Sequence, residues 1–201
     1  MAISLYFGLP GSGKTTLLAR EAFRHIKAGG KVCGNVDLAV SGYRRIDDAD
    51  VGKYDLTGYL ILIDEGTLFA DSRDFKRRDE RYTAMIRFFL LHRHYHCDII
   101  VYTQQWDGLD KRIRVITDRV YYVYKGVLTG RLFTRYYRVP YGIIIPNPKK
   151  AAGGDHLGEI VQGYCKPPLL RRIFGGWMFR PRWYRYFDSW DAPKLPALPD
   201  R

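Results

Sequence analysis

The chain has 201 residues, 46% of them hydrophobic, which suffices for one α/β domain with a sizeable core and no structural disulfide or metal. Its net charge of +12 indicates an anionic partner, either nucleic acid or an anionic membrane surface. The alternative is a soluble enzyme whose basic surface is simply solvated by water. No apolar run approaches the ~20 residues that a membrane-spanning helix needs.

The first predicted element is a phosphate-binding loop. Residues 8–15 read Gly-Leu-Pro-Gly-Ser-Gly-Lys-Thr, which fits G-x-x-x-x-G-K-[ST]. An apolar strand precedes the loop at 3–7, and a helix with apolar residues four apart follows it. Glycines let backbone N–H groups surround a polyphosphate at a helix N-terminus, so the motif predicts ATP binding.

Each residue of this loop has an expected role. Lys14 is expected to reach the β- and γ-phosphates, and the Thr15 hydroxyl to hold Mg²⁺. The predicted nucleotide-binding residues are Gly8, Pro10, Gly11, Ser12, Gly13, Lys14, Thr15 and Thr16.

The expected compartment is the cytoplasm, with membrane contact only at the periphery. Cys33, Cys97 and Cys165 are far apart and odd in number, which favours reduced thiols, with core packing for the first two. The P-loop begins so early that we expect no signal peptide before it.

An acid pair follows the next buried strand. Residues 31–36 predict a second strand, and the polar segment 41–59 is expected to run over the surface. The continuous apolar run 59–63 is typical of a central parallel strand, and it ends in Asp64 and Glu65. We expect Asp64 to hold Mg²⁺ opposite Thr15, and Glu65 to orient or deprotonate the attacking water.

A helix from about 70 to 94 and a strand over 98–103 come next, and Gln104 ends that strand. Residues 107–119 are then expected to form a short polar connection rich in arginine. Gln104 is a candidate sensor of the γ-phosphate, with helix capping as the alternative. His92, His94, His96 and Cys97 raise the question of zinc, but no second ligand pair follows at a recognised spacing.

The arginine that neutralises transition-state charge is expected to come from a neighbouring subunit, because no arginine of the same chain has an obvious position near the P-loop. Arg93 is preferred, since it lies between the two strands that carry Glu65 and Gln104. The other candidates are Arg112, Arg114 and Arg119.

Beyond residue 119 the composition changes. Aromatic runs at 120–125 and 132–139 flank two glycines and predict an antiparallel hairpin at the sheet edge. The resulting division is an ATPase core at 1–142, a linker at 143–163 and a basic aromatic tail at 164–201.

The tail interleaves arginines with aromatic residues. This mixture suits single-stranded nucleic acid, the headgroup region of an anionic bilayer, or rings that fold back over the sheet, and composition does not separate the three. The residues expected to carry it are Arg171, Arg172, Trp177, Arg180, Arg182 and Trp183.

Taken together, residues 1–140 resemble the zonula occludens toxin-like family, the assembly ATPases of filamentous phages. The resemblance lies in the P-loop, in 63–65, and above all in His-Arg-His at 92–94 followed by the strand that ends in Thr103 and Gln104. The late Tyr-Phe-Asp-Ser at 186–189 is similar to the way the family's ATPase region closes.

The resemblance implies an α/β P-loop NTPase with a mainly parallel central sheet flanked by helices, plus the hairpin and the tail. It also implies a Mg²⁺-dependent ATPase ring that exports single-stranded phage DNA at the host inner membrane. Family members generally carry a transmembrane helix after this region, and this sequence shows none. Contact with the inner membrane is therefore expected through the tail or through a membrane partner protein, unless the same motor does a different job. The alternatives are a genome-packaging ATPase of a double-stranded DNA virus, or a nucleotide-controlled toxin-like protein that binds a host surface.

Overall fold

The computed structural model describes residues 1–66, 80–104, 108–125, 132–139 and 175–188. The predicted linker at 143–163, together with Arg171, Arg172 and Cys165, lies outside the described residues. The strands are Ile3–Phe7 (β1), Lys31–Gly34 (β2), Tyr43–Arg45 (β3), Tyr59–Ile63 (β4), Asp98–Thr103 (β5), Arg119–Lys125 (β6), Phe133–Val139 (β7) and Gly176–Phe179 (β8). Among the described residues, the α-helices are Lys14–Lys27 (α1), Glu80–Leu91 (α2) and Lys111–Val115 (α3), and two single 3₁₀ turns span Asp48–Asp50 and Tyr184–Tyr186.

The described strands form one sheet in the order β3-β2-β4-β5-β1-β6-β7-β8. All neighbours from β3 to β6 are parallel, whereas β6-β7 and β7-β8 are antiparallel. Parallel strands end at the same edge, so the residues that follow β1, β4 and β5 are brought together there.

The central strands are buried on both faces, as their continuous apolar runs predict. On one face, Leu60, Leu62 and Tyr102 pack with Leu17 and Leu18 of α1. On the other, Ile61, Ile63, Ile99 and Val101 pack with residues of α2 and α3 that include Phe89 and Ile113. The two-residue period of the strands therefore divides the core between two helical layers.

Two segments differ from their predictions. The segment 41–59 is not only a surface connection: β3 adds a parallel strand beside β2, and Ile46, Val51 and Leu56 are buried. Residues 107–119 include the short helix α3, whose N-cap Asp110 accepts a bond from the backbone of Arg112. Both elements are short, so their apolar positions are too few to show a period.

The predicted hairpin is present, but its place in the sheet differs. β6 pairs with β1 in parallel register, so the hairpin continues the central sheet, and the edge position belongs to β8. The β8 strand consists of residues 176–179, which belong to the predicted basic aromatic tail. Because β7 and β8 are far apart in the sequence, no local sequence pattern indicates that they pair.

Cys33 and Cys97 are free and fully buried in the core. Burial raises the pKa of the Cys33 thiol to about 12, so this side chain behaves as a small apolar residue at neutral pH. Within the described ranges, no helix combines the length and apolar character needed to cross a membrane.

Candidate nucleotide-binding site

The P-loop joins the end of β1 to the start of α1, at the carboxyl edge of the parallel strands. Two of its glycines are required by geometry. Gly13 has φ of +96°, a left-handed conformation, and a Cβ there would lie 2.0 Å from Thr134 Oγ1. A Cβ on Gly8 would lie 2.1 Å from the Val123 carbonyl oxygen, so the loop can lie against β6 only with glycine at this position.

Two side chains from outside the P-loop, Thr134 and Arg180, donate hydrogen bonds to carbonyl groups of the loop. Thr134 Oγ1 on β7 donates to the Ser12 carbonyl at 2.9 Å. Arg180, just after β8, donates from Nη2 to the Gly11 carbonyl at 2.9 Å and from Nε to Thr134 Oγ1 at 2.7 Å. The antiparallel strands thus fix the loop that the parallel strands position.

Lys14 is a buried cation, with 8% of its surface exposed. Its ammonium group donates to the carbonyls of Gly8 at 2.7 Å and Leu9 at 3.2 Å. Burial lowers the pKa of Lys14, while the charges of Asp64 and Glu65 act in the opposite direction. A buried ammonium group bound mainly to neutral carbonyls fits a polyphosphate ligand, which would supply the missing negative charge.

Thr15 and Asp64 form a pair of oxygen ligands. Thr15 Oγ1 donates to Asp64 Oδ2 at 2.9 Å, across the gap between α1 and the end of β4. Asn35, after β2, fixes the backbone of Asp64: its Oδ1 accepts from the Asp64 amide at 2.7 Å, and its Nδ2 donates to the Asp64 carbonyl at 3.0 Å. Burial raises the pKa of Asp64, with the Thr15 hydrogen bond opposing it. Hard oxygen ligands, one of them a partly buried carboxylate, suit Mg²⁺.

Glu65 and Gln104 face each other at the same edge. Gln104 Nε2 donates to Glu65 Oε2 at 3.0 Å. Glu65 has φ of +51°, which a non-glycine residue seldom adopts and which costs on the order of 1 kcal/mol. Such a conformation persists only when the surroundings fix it, and it often marks a functional position.

These groups line one cavity of about 680 Å³, within the size range of ligand sites. Pro10, Gly11, Gly13 and Lys14 to Thr16 form one side of it, and Asp64, Glu65 and Gln104 form another. Arg180, Tyr184, Phe187 and Asp188 complete it. Gly8 and Ser12 belong to the loop without lining the cavity.

The structure places the candidate arginines away from this cavity. Arg93 Nη2 donates to Asp118 Oδ1 at 2.8 Å, and Asp118 Oδ2 accepts from the amide of Ile3, the first residue of β1. Arg93 therefore lies at the opposite edge of the sheet, ~15 Å from the P-loop for a five-residue strand. Arg112 pairs with Asp110, Arg114 is a buried residue of α3, and Arg119 begins β6 at that far edge.

The premise that no arginine lies near the P-loop within the same chain is wrong. Arg180 does, although 166 residues separate it from Lys14 in the sequence. Sequence reasoning missed it, and also missed Thr134 and Asn35, because a polar residue in a distant strand or loop carries no local signal of what it will contact.

The described tail residues have different environments. Trp177 is 66% exposed on β8, whereas Arg180 and Trp183 are buried. Trp183 packs against Phe23 of α1, with ring centroids 5.6 Å apart, and the exposed Arg182 lies over the Trp183 ring. Part of the segment thus covers the core, while Trp177 is accessible to a partner.

The histidines after α2 are dispersed. His92 is buried, and its Nδ1 lies 2.8 Å from the Phe89 carbonyl. Across the described part of the chain, no three His, Cys, Asp or Glu side chains cluster in a way that could hold a metal ion.

A family model supplies the decisive comparison. The model of the zonular occludens toxin (Zot) family matches residues 41–154, more than half of the chain. The chain belongs to the Zot family. The match confirms the predicted resemblance, and it begins after the P-loop, so the motif at 8–15 is separate support for nucleotide binding.

Solved structures agree on the fold. The chain is similar to the N-terminal domain of zonular occludens toxin from Neisseria meningitidis, with a TM-score of 0.57, 17% identity, and coverage of 93% of this chain and 98% of that one. It is also similar to the flagellar accessory protein FlaH from Methanocaldococcus jannaschii, with a TM-score of 0.50, 12% identity, and coverage of 71% and 79%. The predicted P-loop NTPase fold is thereby confirmed.

A weaker likeness is to B204, the DNA-packaging ATPase of Sulfolobus Turreted Icosahedral Virus, with a TM-score of 0.48, 15% identity, and coverage of 69% and 92%. No curated protein sequence matches the chain significantly.

Proposed function

We propose that this Zot-family protein is a Mg²⁺-dependent ATPase motor that drives assembly and export of single-stranded phage DNA. One observation carries the ATPase assignment. Lys14, the Thr15–Asp64 pair and the Glu65–Gln104 pair lie in one cavity at the carboxyl edge of a parallel sheet.

The chemistry assigned to each residue follows from its position. The Lys14 ammonium group neutralises the β- and γ-phosphates, and Thr15 and Asp64 hold Mg²⁺, which would neutralise charge that develops on the phosphate oxygens. Glu65 takes the proton of the attacking water, and Gln104, hydrogen-bonded to Glu65, orients that water. A carboxylate and an amide set for water attack favour hydrolysis over a switch that only binds nucleotide.

The proposal that the protein exports DNA is supported by different observations, namely its family membership and the charged and aromatic side chains on its surface. The net charge of +12 suits a polyanion. On the outermost strands, Arg135 is paired in register with Trp177, and the rings of Trp177 and Phe179 flank Phe133 at 5.6 and 5.4 Å. We call these four residues the edge surface. Arginine beside accessible aromatic rings is typical of single-strand binding.

The test measures ATP hydrolysis in the presence of Mg²⁺, with and without single-stranded DNA, beside flotation with anionic vesicles. We expect single-stranded DNA to stimulate hydrolysis more than duplex DNA does. Stimulation by duplex alone would favour the packaging ATPase. Binding to vesicles without DNA stimulation would favour the nucleotide-controlled surface protein. An association with the host inner membrane predicts flotation in addition to DNA stimulation.

Binding itself is tested with Lys14→Ala. Removal of the cation should abolish binding of Mg²⁺-ATP as measured by calorimetry, because no other ammonium group lies among the cavity residues that the structure describes. Unchanged affinity in this variant would remove the basis for the assignment.

A further inference from the structure

The cavity extends beyond the groups that bind phosphate. Lys14, Thr15, Asp64, Glu65 and Gln104 account for the triphosphate and the metal, and they occupy the P-loop and the ends of β4 and β5. The remaining wall comes from residues 180–188, which we call the closing segment. Its side chains at the cavity are Arg180, Tyr184, Phe187 and Asp188.

The closing segment is held by hydrogen bonds at two points, Arg180 and Tyr186. At its start, the amide of Arg180 donates to the Leu132 carbonyl at 2.8 Å, and its side chain binds the P-loop. Further along, the Tyr186 carbonyl accepts from the amide of Ala39, in the loop after β2, at 2.8 Å. The segment therefore crosses over α1 from the β8 side of the sheet to the β2 side.

Core contacts hold the middle of the segment against α1. Trp183 is buried, and its ring and that of Tyr186 lie 5.6 and 5.5 Å from the ring of Phe23. These contacts use residues 183 and 186 and leave residues 184 and 187 to face the cavity. Tyr184 stays 45% exposed, and its ring meets that of Phe187 edge-on at 6.4 Å.

We infer that Tyr184 and Phe187 form the wall on which the nucleoside of the bound nucleotide docks, with the base stacked on an aromatic ring. The inference rests on the proposed function, because it concerns the rest of the ligand whose phosphates the P-loop holds. Two aromatic side chains on a rigid backbone provide a π-face at low entropic cost, and stacking accepts any base. Purine nucleotides are preferred because their larger rings cover more of the wall. Asp188 offers acceptor oxygens to hydroxyl or amino groups of the nucleoside.

The test compares Mg²⁺-ATP with Mg²⁺-tripolyphosphate, which has the phosphates but no nucleoside. The wild-type chain should bind ATP about 5- to 100-fold more tightly than tripolyphosphate. Tyr184→Ala should weaken ATP binding at least about fivefold and leave tripolyphosphate binding unchanged. Tyr184→Phe should retain the wild-type affinity for ATP, and Tyr54→Ala, at a 56% exposed tyrosine that does not line the cavity, is the matched control.

A second variant gives a readout that does not depend on affinity. In Tyr184→Trp, ATP should quench the added tryptophan fluorescence relative to wild type, and tripolyphosphate should not. The inference is overturned if Tyr184→Ala binds ATP like wild type, if it weakens both ligands equally, or if no quenching occurs. Failure of the wild-type chain to bind either ligand would instead contradict the proposed function.

Discussion

At the scale of single residues, Glu65 combines a strained backbone with the most demanding chemical role. Its left-handed φ of +51° sets the carboxylate beside Gln104, and a general base needs such a fixed position. Asparagine tolerates the left-handed region much better than glutamate or glutamine does. The left-handed backbone at Glu65 therefore lowers the stability of the fold, while it fixes the position of the carboxylate beside Gln104.

The stability of two variants measures that strain. Glu65→Asn should have a free energy of unfolding about 1 kcal/mol higher than Glu65→Gln, because both lack the carboxylate but only asparagine suits the conformation. Urea denaturation of the two nucleotide-free proteins gives the difference. Equal stability would mean that the backbone at residue 65 carries no strain.

Arg180 carries the second prediction at this scale. Arg180→Ala removes the bonds to Gly11 and Thr134 and should weaken ATP binding by up to about 30-fold, since two hydrogen bonds of ~1 kcal/mol each no longer hold the P-loop. The matched control is Arg185→Ala, at an exposed arginine of the same segment that does not line the cavity. The prediction fails if the two variants bind ATP alike.

At the scale of elements, the sequence predicts the strands and helices that a local pattern of residues specifies. The apolar runs at 3–7, 59–63 and 98–103 are β1, β4 and β5, and the P-loop motif predicts both its flanking elements. Asp64, Glu65 and Gln104 were predictable as neighbours because parallel strands share an edge. The contacts of Asn35, Thr134 and Arg180 were not, because they depend on which distant strands pair.

The prediction at this scale concerns binding of single-stranded DNA by the edge surface on β7 and β8. Trp177→Ala should weaken single-stranded DNA binding about fivefold or more even at high salt, since stacking contributes ~1–3 kcal/mol per base. Trp177→Phe should keep most of the affinity, because an aromatic face remains. Fluorescence anisotropy with a labelled oligonucleotide measures both. Affinity unchanged by Trp177→Ala would exclude this surface from DNA binding.

At the scale of the whole molecule, residues 175–188 close the fold. Met178 and Trp183 are buried with α1, and Arg180 holds the P-loop. Removal of everything after Gly163 would therefore disturb the core and the ATP site together, so truncation cannot isolate a DNA-binding function. Point variants on the edge surface are the appropriate tool.

The ring expected from the family resemblance gives a further prediction. Arg93 is 64% exposed at the edge of the sheet opposite the P-loop, where a neighbouring subunit can reach it. Mixtures of wild type with Arg93→Ala should lose ATPase activity more steeply than simple dilution gives, because each mutant subunit impairs its neighbour. A linear loss, or a monomer with full activity, would contradict a ring that uses Arg93.

The most direct test of the account is Glu65→Gln. The amide keeps the size of the side chain but not its basicity, so this variant should bind Mg²⁺-ATP with wild-type affinity and hydrolyse it about 10²–10⁴-fold more slowly in single-turnover measurements. Hydrolysis within about threefold of the wild-type rate would contradict the assignment of Glu65 as the base and with it the proposed mechanism.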